Sequence, residues 1–163
     1  MTREEYQASL ADLRAEVVDM GALVADRLGR ALTALETVDE VAAREVAGAD
    51  DAVDRRYLDI ESTCIQLFAS QQPVAGDLRL VASSFKILTD LERIGDLAVN
   101  LAQYTLAADR KRFEEVDLSA IGDRSRAMLD DAMDAYRTDD APLCREIAAR
   151  DDELDALCQH ASE

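Results

Sequence analysis

Tryptophan is missing from the 163-residue chain, proline occurs twice, glycine six times and histidine once. So few turn formers exclude an all-β sandwich or barrel, which needs a turn roughly every ten residues. The single histidine, His160, lies near the C-terminus and is read as an exposed terminal residue. One histidine cannot supply the paired Glu-x-x-His motifs of a ferritin-like di-iron oxidase. The three cysteines (Cys64, Cys144 and Cys158) are odd in number and lack CxxC spacing, which argues against a disulfide framework and for reduced thiols in a cytoplasmic protein. No apolar run approaches the ~18 residues of a membrane span, and the charged opening MTREEYQASLADLR carries no signal-peptide pattern. The expected site of action is therefore cytoplasmic. No P-loop, GxSxG, Cys–His or dinucleotide fingerprint is present, so no enzyme is expected.

What the chain has is acid. Eighteen basic residues face 35 acidic ones, a formal charge of −17. Phosphates would be repelled, which excludes nucleic acid, and anionic membrane is disfavoured in the same way. Only Lys86 and Lys111 are lysines. Abundant Asp and Glu with little Lys fit a halophilic protein, kept hydrated by carboxylates while salt screens their repulsion.

Ala, Leu, Val, Asp, Glu and Arg dominate, and apolar residues recur at three and four. Leu10, Leu13, Val17, Met20, Val24, Leu28, Leu32 and Leu35 draw one stripe along a helix over 4–37. Asp39 is placed to cap a second helix over 40–70, which the Ser-Gln-Gln-Pro73 segment ends. A third helix runs over 74–107, and three long helices on short connections form an antiparallel bundle. Residues 108–117 read as a linker, followed by helices at 118–137 and 141–161.

The chain also repeats. Shifted by 101 positions without a gap, residues 31–57 fall on 132–158, and ten residues match, from Ala31/Ala132 and Asp39/Asp140 to Asp54/Asp155. A duplicated helical unit accounts for this. The second copy stops at Glu163 with nothing matching the third helix of the first. The expectation is a truncated product, or a second unit that docks on the first or pairs with another chain.

Glu92 and Asp96 stand four apart on the third helix, one turn from each other. Spacing alone says nothing: random placement of the acidic residues gives roughly seven such pairs, and six occur. Position says more. Asp54 lies 19 residues before Pro73 and Glu92 lies 19 after it, so Asp50/Asp54 and Glu92/Asp96 sit at similar height on adjacent helices. Four carboxylates converging there suit a hard or borderline cation. Gly21, Gly29 and Gly95 fall within helices and read as close-packing points.

The run Gln72-Pro73-Val74-Ala75-Gly76-Asp77-Leu78-Arg79, followed by Leu91-Glu92-Arg93-Ile94-Gly95-Asp96, resembles the PhoU family of phosphate-signalling proteins. Asp50-Asp51-Ala52-Val53-Asp54 and Ile60-Glu61 match the same family upstream. The resemblance implies an all-α fold of tandem three-helix bundles: a complete first bundle over 1–107, a linker over 108–117, and a second over 118–163 represented by two helices. It implies metal on Asp50, Asp54, Glu92 and Asp96, with Asp151 and Asp155 as the second-repeat motif, and Asp51, Glu61 and Asn100 as lesser candidates. The metal would be iron, magnesium, manganese or zinc. Arg93 is expected to neutralise a neighbouring carboxylate or to belong to a partner face; Asp77 and Arg79 are expected to tie down the turn. The implied role is a regulator of phosphate uptake that contacts the ATPase subunit of the phosphate ABC transporter, and in bacteria a sensor kinase, with a homodimer also open. The alternative is a metal-independent acidic scaffold.

Overall fold

The computed structural model describes residues 2–49, 51–70, 75–108 and 116–163. Six helices make up the described chain: α1 (Arg3–Thr37), α2 (Glu40–Ala47), α3 (Asp51–Ala69), α4 (Ala75–Ala107), α5 (Leu118–Thr138) and α6 (Ala141–Ser162). Among the described residues no helix is long and apolar enough to cross a membrane. The Gln72-Pro73-Val74 segment and most of the expected linker lie outside the described residues.

The helix starts follow local chemistry. Thr2 and Glu5 form a reciprocal capping box on α1: the Glu5 N–H donates to Thr2 Oγ1 at 3.1 Å, and the Thr2 N–H donates to Glu5 Oε2 at 2.6 Å. Asp39 caps α2, accepting from the N–H groups of Val41 and Ala42. The repeat is visible in this geometry. Val38 (φ 54°) and Asp139 (φ 57°) both turn into the left-handed region, and the following N–H groups of Asp39 and Asp140 reach back to the carbonyls of Ala34 and Ala135, each at 2.9 Å. Asp140 then accepts from the Leu143 N–H, as Asp39 does at the start of α2.

The helix expected over 40–70 is divided. Helix α2 ends at Ala47 with Gly48 as its cap, and α3 begins at Asp51. Glycine is the least helix-favouring residue after proline, and the second copy carries Ala149 at the matching place inside an unbroken α6. The break leaves the Ala49 carbonyl outside a helix, and the Arg27 guanidinium donates to it.

Helix α1 is the hub. It packs against α2, α3, α4 and α5, whereas α6 packs only against α5 among the described residues. The larger core joins Leu13, Val17, Met20 and Val24 of α1 to Val53, Ile60 and Cys64 of α3 and to Val81, Leu88 and Leu91 of α4. A smaller, alanine-rich core joins Ala31 and Ala34 of α1, Ala43 and Val46 of α2, and Ala98 and Ala102 of α4. Burial pushes the Cys64 thiol up to about 11.

Close packing at glycine seats α5 on the other side of α1. A Cβ on Gly21 would stand 2.6 Å from Met133 Cε, and one on Gly29 would stand 2.9 Å from Arg126 Cζ. Gly122 of α5 likewise leaves room for Leu32. Tyr136 completes the contact. Its hydroxyl shares a 2.7 Å hydrogen bond with the fully buried Ser84 of α4. Arg14 lies over its ring at 5.2 Å and donates to its backbone carbonyl.

Two outcomes follow for stability. Val38 is β-branched at a left-handed φ, so Val38→Gly should raise the unfolding free energy by about 1 kcal/mol in denaturant titration. Asp139→Gly should gain less, because aspartate tolerates that conformation. Tyr136→Phe should cost about 1–2 kcal/mol by stranding the Ser84 hydroxyl, and adding Ser84→Ala should recover part of the loss.

Candidate metal centre

The acidic motif is built on one close contact between α3 and α4. On α3, Val53 turns into the core and is 2% exposed. On α4, Gly95 is buried, and a Cβ there would meet Val53 Cγ1 at 3.2 Å. The missing side chain lets the two helices approach at this level. Asp54 and Asp96 follow these two packing residues in sequence, so each carboxylate leaves its helix beside the contact. Glu92 lies one turn before Asp96.

The outcome is convergence. Asp54, Glu92 and Asp96 each offer a carboxylate oxygen, and the three oxygens lie within 4.8 Å of one another. Glu92 is half-buried, and the two aspartates are exposed. Oxygens on opposite sides of a hard cation, bound at about 2.0–2.6 Å each, stand roughly 4–5 Å apart, so the spacing suits such an ion. An oxygen-only set favours Mg²⁺, Mn²⁺, Ca²⁺ or iron over zinc, which prefers nitrogen and sulfur ligands.

The other candidates divide. Asp50 lies outside the described residues. Asp51 is exposed and pairs with Arg55 at 3.8 Å. Glu61 accepts from the Tyr57 hydroxyl at 3.5 Å, and Asn100 is exposed. Asp151 and Asp155 stand exposed on α6, and among the described residues no group of three or more acidic, cysteine or histidine side chains forms around them. His160 is exposed, as expected. Arg93 is exposed and makes no ion pair among the described residues. Asp77 ties the start of α4 to the start of α1, bonding Arg3 at 2.7 Å and accepting from Gln7 Nε2.

A second meeting of acids escaped the sequence reading. Burial and the nearby Asp12, Asp59 and Asp19 hold the Glu16 carboxyl above its usual range, with Arg56 opposing them. A raised carboxyl pKa is a cost to the folded state at neutral pH, relieved as the pH falls through that raised value. The Asp12/Glu16 spacing was visible in the sequence, but only the α1–α3 packing brings Asp59 to it.

Known proteins share this fold. The PhoU domain model matches residues 17–105 and 118–163. A phosphate-specific transport system accessory protein PhoU homolog of Clostridium acetobutylicum is 34% identical over 160 residues, covering 96% of this chain and 73% of that protein. The corresponding homolog of Pseudomonas putida is 34% identical over 155 residues, and the match spans 60% of its length. The crystal structure of the phosphate transport system regulatory protein PhoU from Streptococcus pneumoniae superposes with a TM-score of 0.89 at 30% identity, over 96% of this chain and 75% of that one. The match to the PhoU domain extends over both copies of the internal repeat, and the chain belongs to the PhoU family.

Proposed function

We propose that the chain is an accessory regulator of phosphate uptake that works by binding, not by catalysis, and that a cation on Asp54, Glu92 and Asp96 shapes its binding face. The observation that carries the metal reading is the meeting of those three carboxylates beside the Gly95–Val53 contact. The regulatory role rests on the relatives, which are accessory proteins of phosphate-specific transport by name. On this reading the protein acts in the cytoplasm on the ATPase subunit of the phosphate ABC transporter, and in bacteria on a sensor kinase. Residues 1–107 form the first unit, 108–117 the linker and 118–163 the second unit.

The physical logic is conformational linkage. When bound, a cation supplies positive charge that removes the mutual repulsion of three carboxylates on two different helices. Asp54 belongs to α3, and Glu92 and Asp96 belong to α4, so occupancy draws these helices together. Any partner that distinguishes the closed face from the open one then responds to the ion. The competing reading, a metal-independent acidic scaffold, is favoured by the exposure of Asp54 and Asp96 in so acidic a chain.

Chelator and salt separate the two. The Glu92→Ala/Asp96→Ala double variant should fold but lose bound metal, and elemental analysis showing unchanged metal content would overturn the assignment. In chelator at low salt, Asp96→Asn should raise the melting temperature by relieving repulsion, and the gain should fade near 1 M salt, where the screening length is about 3 Å. With saturating cation the order should reverse, because the wild type then gains stability by linkage. Identical melting curves with and without chelator at constant ionic strength would favour the plain scaffold.

A further inference from the structure

Helix α4 keeps one side out of the bundle. It packs on α1, α2 and α3 through a face that buries Val81, Leu88, Gly95 and Ala102. On the opposite face, exposed positions recur at four and three residues from Arg79 to Tyr104 without a miss. A seven-residue repeat of this kind presents one face to a neighbouring helix along its whole length. The stripe holds Arg79, Lys86 and Arg93, seven apart, in a chain whose charge is −17. None of these three cations makes an ion pair among the described residues, and neither does Asp90, which lies between the last two. Leu97 and Tyr104, 56% and 66% exposed, carry apolar surface towards the other end of the helix.

We propose that the outer face of α4 is the seat of a second copy of this chain, the two α4 helices lying antiparallel about a two-fold axis midway between Leu91 and Glu92. In that register the face is complementary to itself, and the axis falls within a residue of the centre of the helix, Ala75–Ala107. Arg93 stands opposite Asp90 of the second copy, and Asp90 opposite its Arg93, so two ion pairs flank the axis. Farther out, the Lys86 stem lies along Leu97 of the second copy, and the Arg79 guanidinium reaches the ring of its Tyr104. Ser83 faces Asn100. The Ser83 hydroxyl already donates to the Leu80 carbonyl at 3.1 Å, which leaves its oxygen to accept from the Asn100 amide. A parallel pair fails, because it sets each of the three cations against its own copy. The two-fold axis makes every contact twice, and its polarity gives a reversible dimer rather than a permanent one. Glu92 and Asp96 leave α4 on the side that meets α3, so the inference is independent of the metal reading.

Charge reversal tests the register. Sedimentation equilibrium on the full chain, in about 1 M NaCl to screen the repulsion of two acidic bodies, should show a monomer–dimer equilibrium. Asp90→Arg and Arg93→Asp each turn both central attractions into repulsions, and each alone should weaken dimerisation by about tenfold or more. Asp90→Arg and Arg93→Asp combined in one chain keep the native net charge and should return the dissociation constant to within about threefold of the native one. An equimolar mixture of the two single variants should also dimerise, because every central cation then faces a carboxylate. Should either variant lose its helical circular dichroism, Leu97→Lys makes the test instead: it sets a second ammonium against Lys86 and should weaken the dimer about fivefold. The proposal is overturned if the native chain stays monomeric up to about 1 mM, which leaves the face to a different protein. It is also overturned if a dimer forms that neither reversal nor Leu97→Lys weakens, or that the combined swap fails to recover.

Discussion

Helix α1 is packed on two sides along its central turns, and that double burial organises the molecule. One side supplies Leu13, Val17, Met20 and Val24 to the core shared with α3 and α4. The other side receives α5 at Gly21 and Gly29, where any larger residue would meet Met133 or Arg126. A 35-residue helix in isolation is limited by propensity and length; this one is held by packing on both sides. Its glycines, costly in a helix interior by about 1 kcal/mol each, are repaid by the close approach they permit. The Tyr136–Ser84 hydrogen bond then links α5 to α4 directly. The two copies of the repeat are thereby joined through a buried polar contact as well as through α1.

The same trade, a missing side chain for a close approach, produces the acidic centre. In a chain of charge −17, carboxylates spread apart unless something stronger gathers them. Here the gathering force is apolar: Val53 against Gly95 fixes the separation of α3 and α4, and the acids that follow in sequence come along. Hydrophobic burial acts over many contacts and is insensitive to salt screening, whereas exposed carboxylates repel weakly in water. The packing term therefore wins, and the repulsion is stored locally, where a cation can release it.

Much of this was legible in the sequence because it is periodic. The ends of α1, α4, α5 and α6 fall within a residue of expectation, and Asp39 is the cap its position suggested. The equal distance of Asp54 and Glu92 from Pro73 foretold their meeting, since antiparallel helices convert sequence distance into height. Gly21, Gly29 and Gly95 are the close contacts they were read to be. Three things were not legible. Gly48 interrupts the second helix, although isolated glycines are tolerated in α1 and α4; the difference lies in neighbours that hold those helices on several sides. The pairing of Met133 with Gly21 needs the relative placement of α1 and α5, which no periodicity encodes. Arg93 was expected either to neutralise a neighbouring carboxylate or to belong to a partner face; no ion pair forms for it among the described residues, because closeness in sequence permits an exposed ion pair without requiring one.

The break at Gly48 is the point at which the backbones of the two copies part. In the first copy, the chain leaves the helix at Gly48 and Ala49, and Arg27 satisfies the Ala49 carbonyl that the break frees. The 101-residue shift turns that pair into Met128 and Arg150. Arg150 sits inside the unbroken α6, where its carbonyl needs no outside donor, and a methionine suffices opposite it. Arginine's own charge is used elsewhere, against Asp131 at 2.8 Å. Glycine at the break and arginine at its support thus go together, and their absence together from the second copy keeps α6 straight. Beyond the break, α3 carries Val53 onto Gly95 of α4, and Asp54 meets Glu92 and Asp96 beside that contact. Asp155 of α6 is exposed, and among the described residues no helix packs on α6 as α4 packs on α3. Two substitutions at the helix joint thereby set the backbones of the two copies apart.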